Sequence, residues 1–163
     1  MSQIFYTNVE SPVGALLLAS DGHGLSLLSF VVGKWPVLPH PDWNRDEAPF
    51  VEVRRQLRAY FGGELTRFDV PLALQGTPFQ IRVWQALCAI PYGATISYGE
   101  LAKQIDQPKA VRAVGLANGA NPIAIIVPCH RVIGSNGKLT GYGGGLPLKE
   151  RLLALESRQL RLE

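Results

Sequence analysis

Between Asn121 and Gly134 the chain reads NPIAIIVPCHRVIG, and this stretch limits the possible folds more than any other. Ile123 to Pro128 carry no charge, so they must be buried, and Cys129 and His130 go inward with them. Pro128 ends any regular element and fixes the backbone just before the thiol. A thiol held on a rigid turn beside a titratable ring is how a chain presents a nucleophile. The competing reading is a free cysteine used as a small core hydrophobe. His130 can help remove the thiol proton and Arg131 adds positive charge, so both neighbours favour thiolate.

The rest of the chain bounds what such a turn can serve. A length of 163 residues with 47% hydrophobic content suits one domain or two small lobes with a real core. No apolar run is long enough to cross a bilayer, and the N-terminus lacks the pattern of an export signal. Cys88 and Cys129 are the only cysteines and form no CxxC pair, which fits a reduced, cytoplasmic setting. His23, His40 and His130 make no ligand cluster, so no metal and no cofactor are expected. Residues 1–75 hold six Lys/Arg against eight Asp/Glu, a net −2, while residues 76–163 hold ten against five, a net +5. The positive charge travels with the cysteine, as a polyanion-binding lobe requires.

Ile4–Val9, Gly14–Ala19 and Leu25–Val31 read as strands of an antiparallel meander, separated by turn chemistry at Ser11-Pro12 and Asp21–Gly24. Residues 33–49 read as an irregular loop. Val51–Phe61 carries a helical stripe of Val53, Leu57, Tyr60 and Phe61, stopped by Gly62-Gly63. This first lobe, residues 1–75, shows no reactive constellation and reads as a scaffold. Pro71–Gly76 reads as a linker into the second lobe, residues 76–163. Thr77-Pro78-Phe79-Gln80 starts a helix with Phe79, Val83, Ala86, Leu87 and Ile90 on its stripe, and Cys88 reads as packing. Ser97-Tyr98-Gly99-Glu100 is a capping box for a short helix with Leu101, Ala102 and Ile105 inward. A second short helix over Lys109–Asn118, rich in small and basic residues, completes a helix-turn-helix pattern. After the turn Gly134–Gly137 and the loop Gly141–Gly145, a last helix starts at Pro147, with Leu148, Leu152, Leu153 and Leu155 inward and Glu156 near its end.

Pro128-Cys129-His130-Arg131-Val132, preceded by Asn121-Pro122 and followed by Gly143-Gly144-Gly145, resembles the active-site signature of the O6-alkylguanine-DNA alkyltransferases. The resemblance covers about residues 76–163, with a looser fit upstream. It implies an α+β fold: a small N-terminal antiparallel sheet with a helix, ribonuclease-H-like, then a mostly helical domain with a winged helix-turn-helix. It also implies irreversible, single-turnover transfer of an alkyl group from O6-alkylguanine in duplex DNA to Cys129, with O4-alkylthymine left open.

The same resemblance supplies roles. Glu156 is buried behind His130 and fixes its tautomer and charged form, His130 is the base for Cys129 through a water, and Asn121 ties the turn's backbone. Arg112 fills the gap left by a flipped-out nucleotide in the minor groove, with Lys109, Tyr98 and the backbone amides of Ala113 and Asn118 as further DNA contacts. Tyr98 also donates to the base N3, Gly143 offers an amide near O6, and the carbonyls of Cys129 and Val132 accept from the exocyclic amine. Tyr142, Gly144, Gly145, Asn118 and Ala124 shape the pocket. The expected partner is double-stranded DNA bearing the lesion, bound by a free-standing monomer of the bacterial kind, with clustering along DNA left open and no membrane contact. The rivals are a binder of alkylated DNA without transfer, a winged-helix regulator, and a Cys–His hydrolase that would need an oxyanion hole.

Overall fold

The computed structural model describes residues 3–31, 37–139, 142 and 145–162, with side chains of the last helix as far as Ser157. Strand β1 (Phe5–Val9) pairs antiparallel with β2 (Leu16–Ser20), which pairs antiparallel with β3 (Leu25–Phe30). All five residues of β2 are buried, as expected of a central strand covered on both faces. The meander is therefore as expected, but the region 33–49 is not wholly irregular. Strand β4 (Asn44–Arg45) joins the far edge parallel to β1, giving the order β3-β2-β1-β4. Two residues are too short to leave a periodic signal, so sequence patterning passes over them. Helix α1 (Val51–Phe61) turns Val53, Leu57 and Tyr60 into the same core, with Phe61 only partly buried.

The exposed edge of β3 is where the two halves of the chain meet. Leu25 N–H donates to Pro71 O at 2.9 Å and Ala73 N–H to Leu25 O at 2.8 Å, so the expected linker is stitched to the sheet. Further along the same edge, Leu28 N–H donates to Pro122 O and Ala124 N–H to Leu28 O, both at 3.0 Å. An edge strand leaves a row of donors and acceptors, and here the segment leading to Cys129 takes them.

Helix α2 (Pro78–Cys88) begins with the expected capping box, Thr77 accepting from Gln80 N–H while the Gln80 side chain accepts from Thr77 N–H. Gly76 just before it has no room for a Cβ, which would lie 2.7 Å from the Trp84 ring. Trp84 Nε1 donates to Ala117 O at 2.9 Å, tying α2 to α4 (Val111–Gly119). Helix α3 (Tyr98–Gln104) has its own capping box at Ser97 and Glu100, and buries Leu101 and Ala102. Asp106, at φ +59°, makes the corner between α3 and α4, a left-handed position that aspartate tolerates. The wing is reduced to a two-residue parallel ladder, β5 (Ile96–Ser97) against β6 (Val132–Ile133). Helix α5 (Leu146–Leu162) closes the lobe, with Leu152 fully buried and Leu148, Leu153 and Leu155 half-buried. Among the described residues no helix is long and apolar enough to cross a membrane.

Candidate active site and DNA-facing helix

Ile123 to Pro128 is buried throughout, and its path is set by strain held in place by hydrogen bonds. Ile125 has φ +70°, a costly conformation for a β-branched residue, worth about 1–3 kcal/mol. Asn121 brackets it: its Oδ1 accepts from Ile123 N–H at 3.0 Å and its Nδ2 donates to Val127 O at 2.8 Å. Pro128, at φ −82° and ψ 64°, then forms an inverse γ-turn closed by Cys129 N–H donating to Val127 O at 2.8 Å. Cys129 opens a single 3-10 turn, Cys129–Arg131, so Pro128 starts an element here as well as ending one. Asn121 thus ties the turn's backbone in the manner the resemblance implies.

Behind the turn lies a buried charge network. Glu156, 1% exposed, accepts from His130 Nε2 at 2.8 Å, from Arg131 Nε at 2.8 Å and Nη2 at 3.0 Å, and from Tyr60 Oη at 2.7 Å. Burial alone would raise its carboxyl, but the hydrogen bonds from His130 and Arg131 outweigh that and hold it at about 2. Ionised Glu156 can only accept, so His130 Nε2 carries the proton and Nδ1 carries the lone pair. Nδ1 is buried and has no hydrogen-bond partner among the described residues.

Two expectations need correcting, and a third is outweighed. Glu156 favours the charged form of His130 as expected, but burial is the larger effect and lowers the ring below its usual value. Arg131 does not lend its charge to the thiol, because Glu156 and Ile90 O (2.7 Å from Nη1) take up its guanidinium. Burial pushes the Cys129 thiol up rather than down, opposed by a hydrogen bond from Asn121 and by the charge of Lys149. The resting site is therefore a neutral thiol beside a neutral imidazole.

Lys149, fully buried, donates from Nζ to Val132 O at 2.7 Å, and patterning missed it. Its signal was present: Lys149, Leu152 and Glu156 stand three and seven residues apart, on one face of α5. Tyr60 was read only as core, and no local pattern could reveal a partner 96 residues away. Tyr142 is half-buried, its ring 5.8 Å from Phe30, and its hydroxyl has no partner among the described residues. Cys88 is exposed rather than packed, at the end of α2 in the wall of a cleft with Arg131 and Tyr92. Gly143 and Gly144 lie outside the described residues.

On the other side of the helix-turn-helix, Arg112 and Ala113 are exposed in the first turn of α4, with exposed Lys109 just before it. Tyr98 is half-buried at the start of α3 and lies against Gly115, where an added Cβ would be 3.8 Å from its ring. Asn118 is 4% exposed in the last turn of α4, where the helix's own ladder takes up the backbone amide. Its side chain turns inward, with Nδ2 3.5 Å from Cys129 O. Of the two amides expected to meet phosphate, Ala113 alone sits at the helix N-terminus.

A helix-turn-helix backing onto a buried cysteine and histidine defines a DNA-acting protein with a reactive thiol, and comparison with known proteins makes the class specific. Residues 4–74 match the model of the 6-O-methylguanine DNA methyltransferase ribonuclease-like domain, and residues 78–158 that of the same family's DNA-binding domain. The chain is 59% identical over 153 residues to the methylated-DNA–protein-cysteine methyltransferase of Methanosarcina acetivorans, covering 94% of this chain and 98% of that one. It is 58% identical over 154 residues to the protein so named from Mycobacterium tuberculosis, covering 94% and 92%. The crystal structure of Mycobacterium tuberculosis O6-methylguanine methyltransferase superposes with a TM-score of 0.89 at 54% identity, covering 98% and 99% of the two chains. The structure of Mycobacterium tuberculosis OGT in complex with DNA gives 0.89 at 55%, covering 95% and 94%. The class is thus that of DNA-repair enzymes that transfer an alkyl group to a protein cysteine. The chain belongs to the methylated-DNA–protein-cysteine methyltransferase family, and DNA is its partner.

Proposed function

We propose that Cys129 is the alkyl acceptor, that O6-alkylguanine flipped out of duplex DNA is the donor, and that each molecule acts once. The observation that carries this reading is the His130 ring: Nε2 is held by Glu156 at 2.8 Å, while Nδ1 is buried and, among the described residues, has no partner, one residue along the chain from the thiol. That is a base with its lone pair kept available.

The thiol proton passes to Nδ1, directly or over one water, and Glu156 steadies the imidazolium that forms. Sulfur attacks the alkyl carbon, the S–C bond forms as the C–O6 bond breaks, and the electron pair leaves with guanine. A hydrogen bond from Tyr98 to N3 steadies the charge that develops on the base, and the proton first taken by His130 returns through water to N1 of the leaving guanine, so the net result is a thioether, ordinary guanine and a neutral imidazole. Raised by burial, the thiol is a weak acid until this moment, which limits side reactions in the resting protein. A thioether has no hydrolytic route back, hence one turnover.

The target atom is shielded in stacked duplex, so the base must leave it. Arg112 would occupy the vacated place with its planar guanidinium, while Lys109, Tyr98 and the Ala113 amide hold the backbone. The side chains of Asn118 and Tyr142, with Val132 O, would wall the base pocket, while Gly143 and Gly144, which the resemblance also assigns to it, lie outside the described residues. The protein acts as a monomer in this reading. Incubation with duplex containing O6-methylguanine should add one methyl mass, located on Cys129 by peptide mapping, and Cys129→Ala should bind that duplex without gaining it. Methyl on another residue, or none on the wild type, would refute the assignment.

A further inference from the structure

We infer that Tyr60, from the N-terminal lobe, is a positioning residue of the transfer reaction, setting the readiness of His130 to accept a proton through its hydrogen bond to Glu156. The inference rests on the function proposed above and assigns the first lobe a part in the chemistry rather than in support alone.

Tyr60 lies on α1 and Glu156 on α5, 96 residues apart, yet the phenol donates to Glu156 Oε2 at 2.7 Å with both residues essentially unexposed. The same oxygen accepts from His130 Nε2 at 2.8 Å and Arg131 Nη2 at 3.0 Å. Three donors therefore share one carboxylate oxygen, and each draws on the charge that the others feel. A donor removed from Oε2 leaves more charge facing His130 and favours its imidazolium form.

The phenol cannot change sides in this arrangement. Burial and the adjacent Glu156 charge raise it far above the usual tyrosine range, so it stays a donor at every working pH. Its ring is fixed by Phe61 at 5.2 Å, Phe68 at 5.3 Å and, edge-on, Tyr92 at 6.3 Å, and the Arg131 guanidinium sits 5.7 Å over that same Tyr92 ring. The charged and titratable groups around Glu156 and His130 are thus Tyr60 from α1, Tyr92 after α2, Cys129 and Arg131 on the turn, Tyr142 before α5, and Lys149 on α5. Of these, only Tyr60 comes from the first lobe and touches the carboxylate directly.

Tyr60→Phe tests the idea, since it keeps the ring and its packing and removes one donor. Single-turnover transfer from O6-methylguanine duplex should show an acid limb about half a pH unit higher than the wild type's, the size expected for one lost hydrogen bond. Titration of His130 followed by imidazole nitrogen shifts in DNA-free protein should move upward by a similar amount, and this readout does not depend on activity. A structural role alone would lower the rate in step with thermal stability while leaving both midpoints unmoved, and that result would overturn the inference. If the wild type takes up no methyl group, the proposed function fails, whereas His130 titration still decides the role of Tyr60.

Discussion

The interior behind Cys129 and the outer face of α4 both carry charge, but under opposite physical rules. Inside, Glu156, His130, Arg131, Lys149 and Tyr60 are almost wholly buried and every charge is taken up by a named partner. Outside, Arg112 and Lys109 are exposed on and beside a short helix. Buried charges unpaired by a substitution cost several kcal/mol, whereas exposed ones cost a few tenths. The inner network should therefore govern chemistry and folding together, and the outer face should govern DNA binding and base eversion without touching either.

Glu156→Gln should have the largest effect. It leaves Arg131 buried without its counter-charge and frees His130 to change tautomer, so stability should fall by about 3 kcal/mol and transfer by on the order of 100-fold. The pH dependence has a definite sign. Glu156 titrates near 2 in the fold against an ordinary value of 4.5, so its contribution is complete above 4.5 and is lost as pH falls toward 2. His130 is also lowered, so protonating it below about 6.5 favours the unfolded chain. The wild type should thus lose stability with acid from about pH 6.5 downward. Its lead over Glu156→Gln should shrink below 4.5, as urea unfolding at stepped pH can check.

How much of this contrast was legible beforehand follows from range. The capping boxes at Thr77 and Ser97, the stripe on α1 and the buried run before Cys129 are local patterns, and the structure has them where the sequence puts them. Glu156 was placed through family resemblance, since a glutamate late in a helix is ordinarily surface. Tyr60 meets Glu156, and β3 meets Pro122 and Ala124, across long sequence separations that no periodicity encodes. The direction of the Cys129 shift differs from the expectation, and the effect of Glu156 on His130 is outweighed, for a related reason. Neighbouring residue types suggested charge near the thiol, but burial, which depends on the whole fold, decides the balance.

Arg112→Ala should sharpen the division from the outer side. On the proposed reading, transfer from lesion-containing duplex should drop about 10- to 100-fold, because no side chain then replaces the flipped base, whose eversion costs a few kcal/mol. Folding stability should change by less than about 0.5 kcal/mol, and reaction with the free O6-methylguanine base should hold at the wild-type rate. Equal losses on free base and duplex would place Arg112 with the inner network instead.

Lys109→Ala should have the smallest effect and the most specific signature. Lys109 is exposed just before α4, and on the proposed reading it meets a phosphate as a point charge and releases about one counterion from the DNA. Its removal should weaken lesion-bearing and undamaged duplex alike, and lower the slope of log affinity against log salt by about one. Rate at saturating DNA should stay at the wild-type value, because bound DNA no longer reports the lost contact and the thiol's surroundings are untouched. A lower saturating rate with an unchanged salt slope would mean that the outer face also orders the inner network. The separation of binding from chemistry would then fail at its weakest-coupled residue.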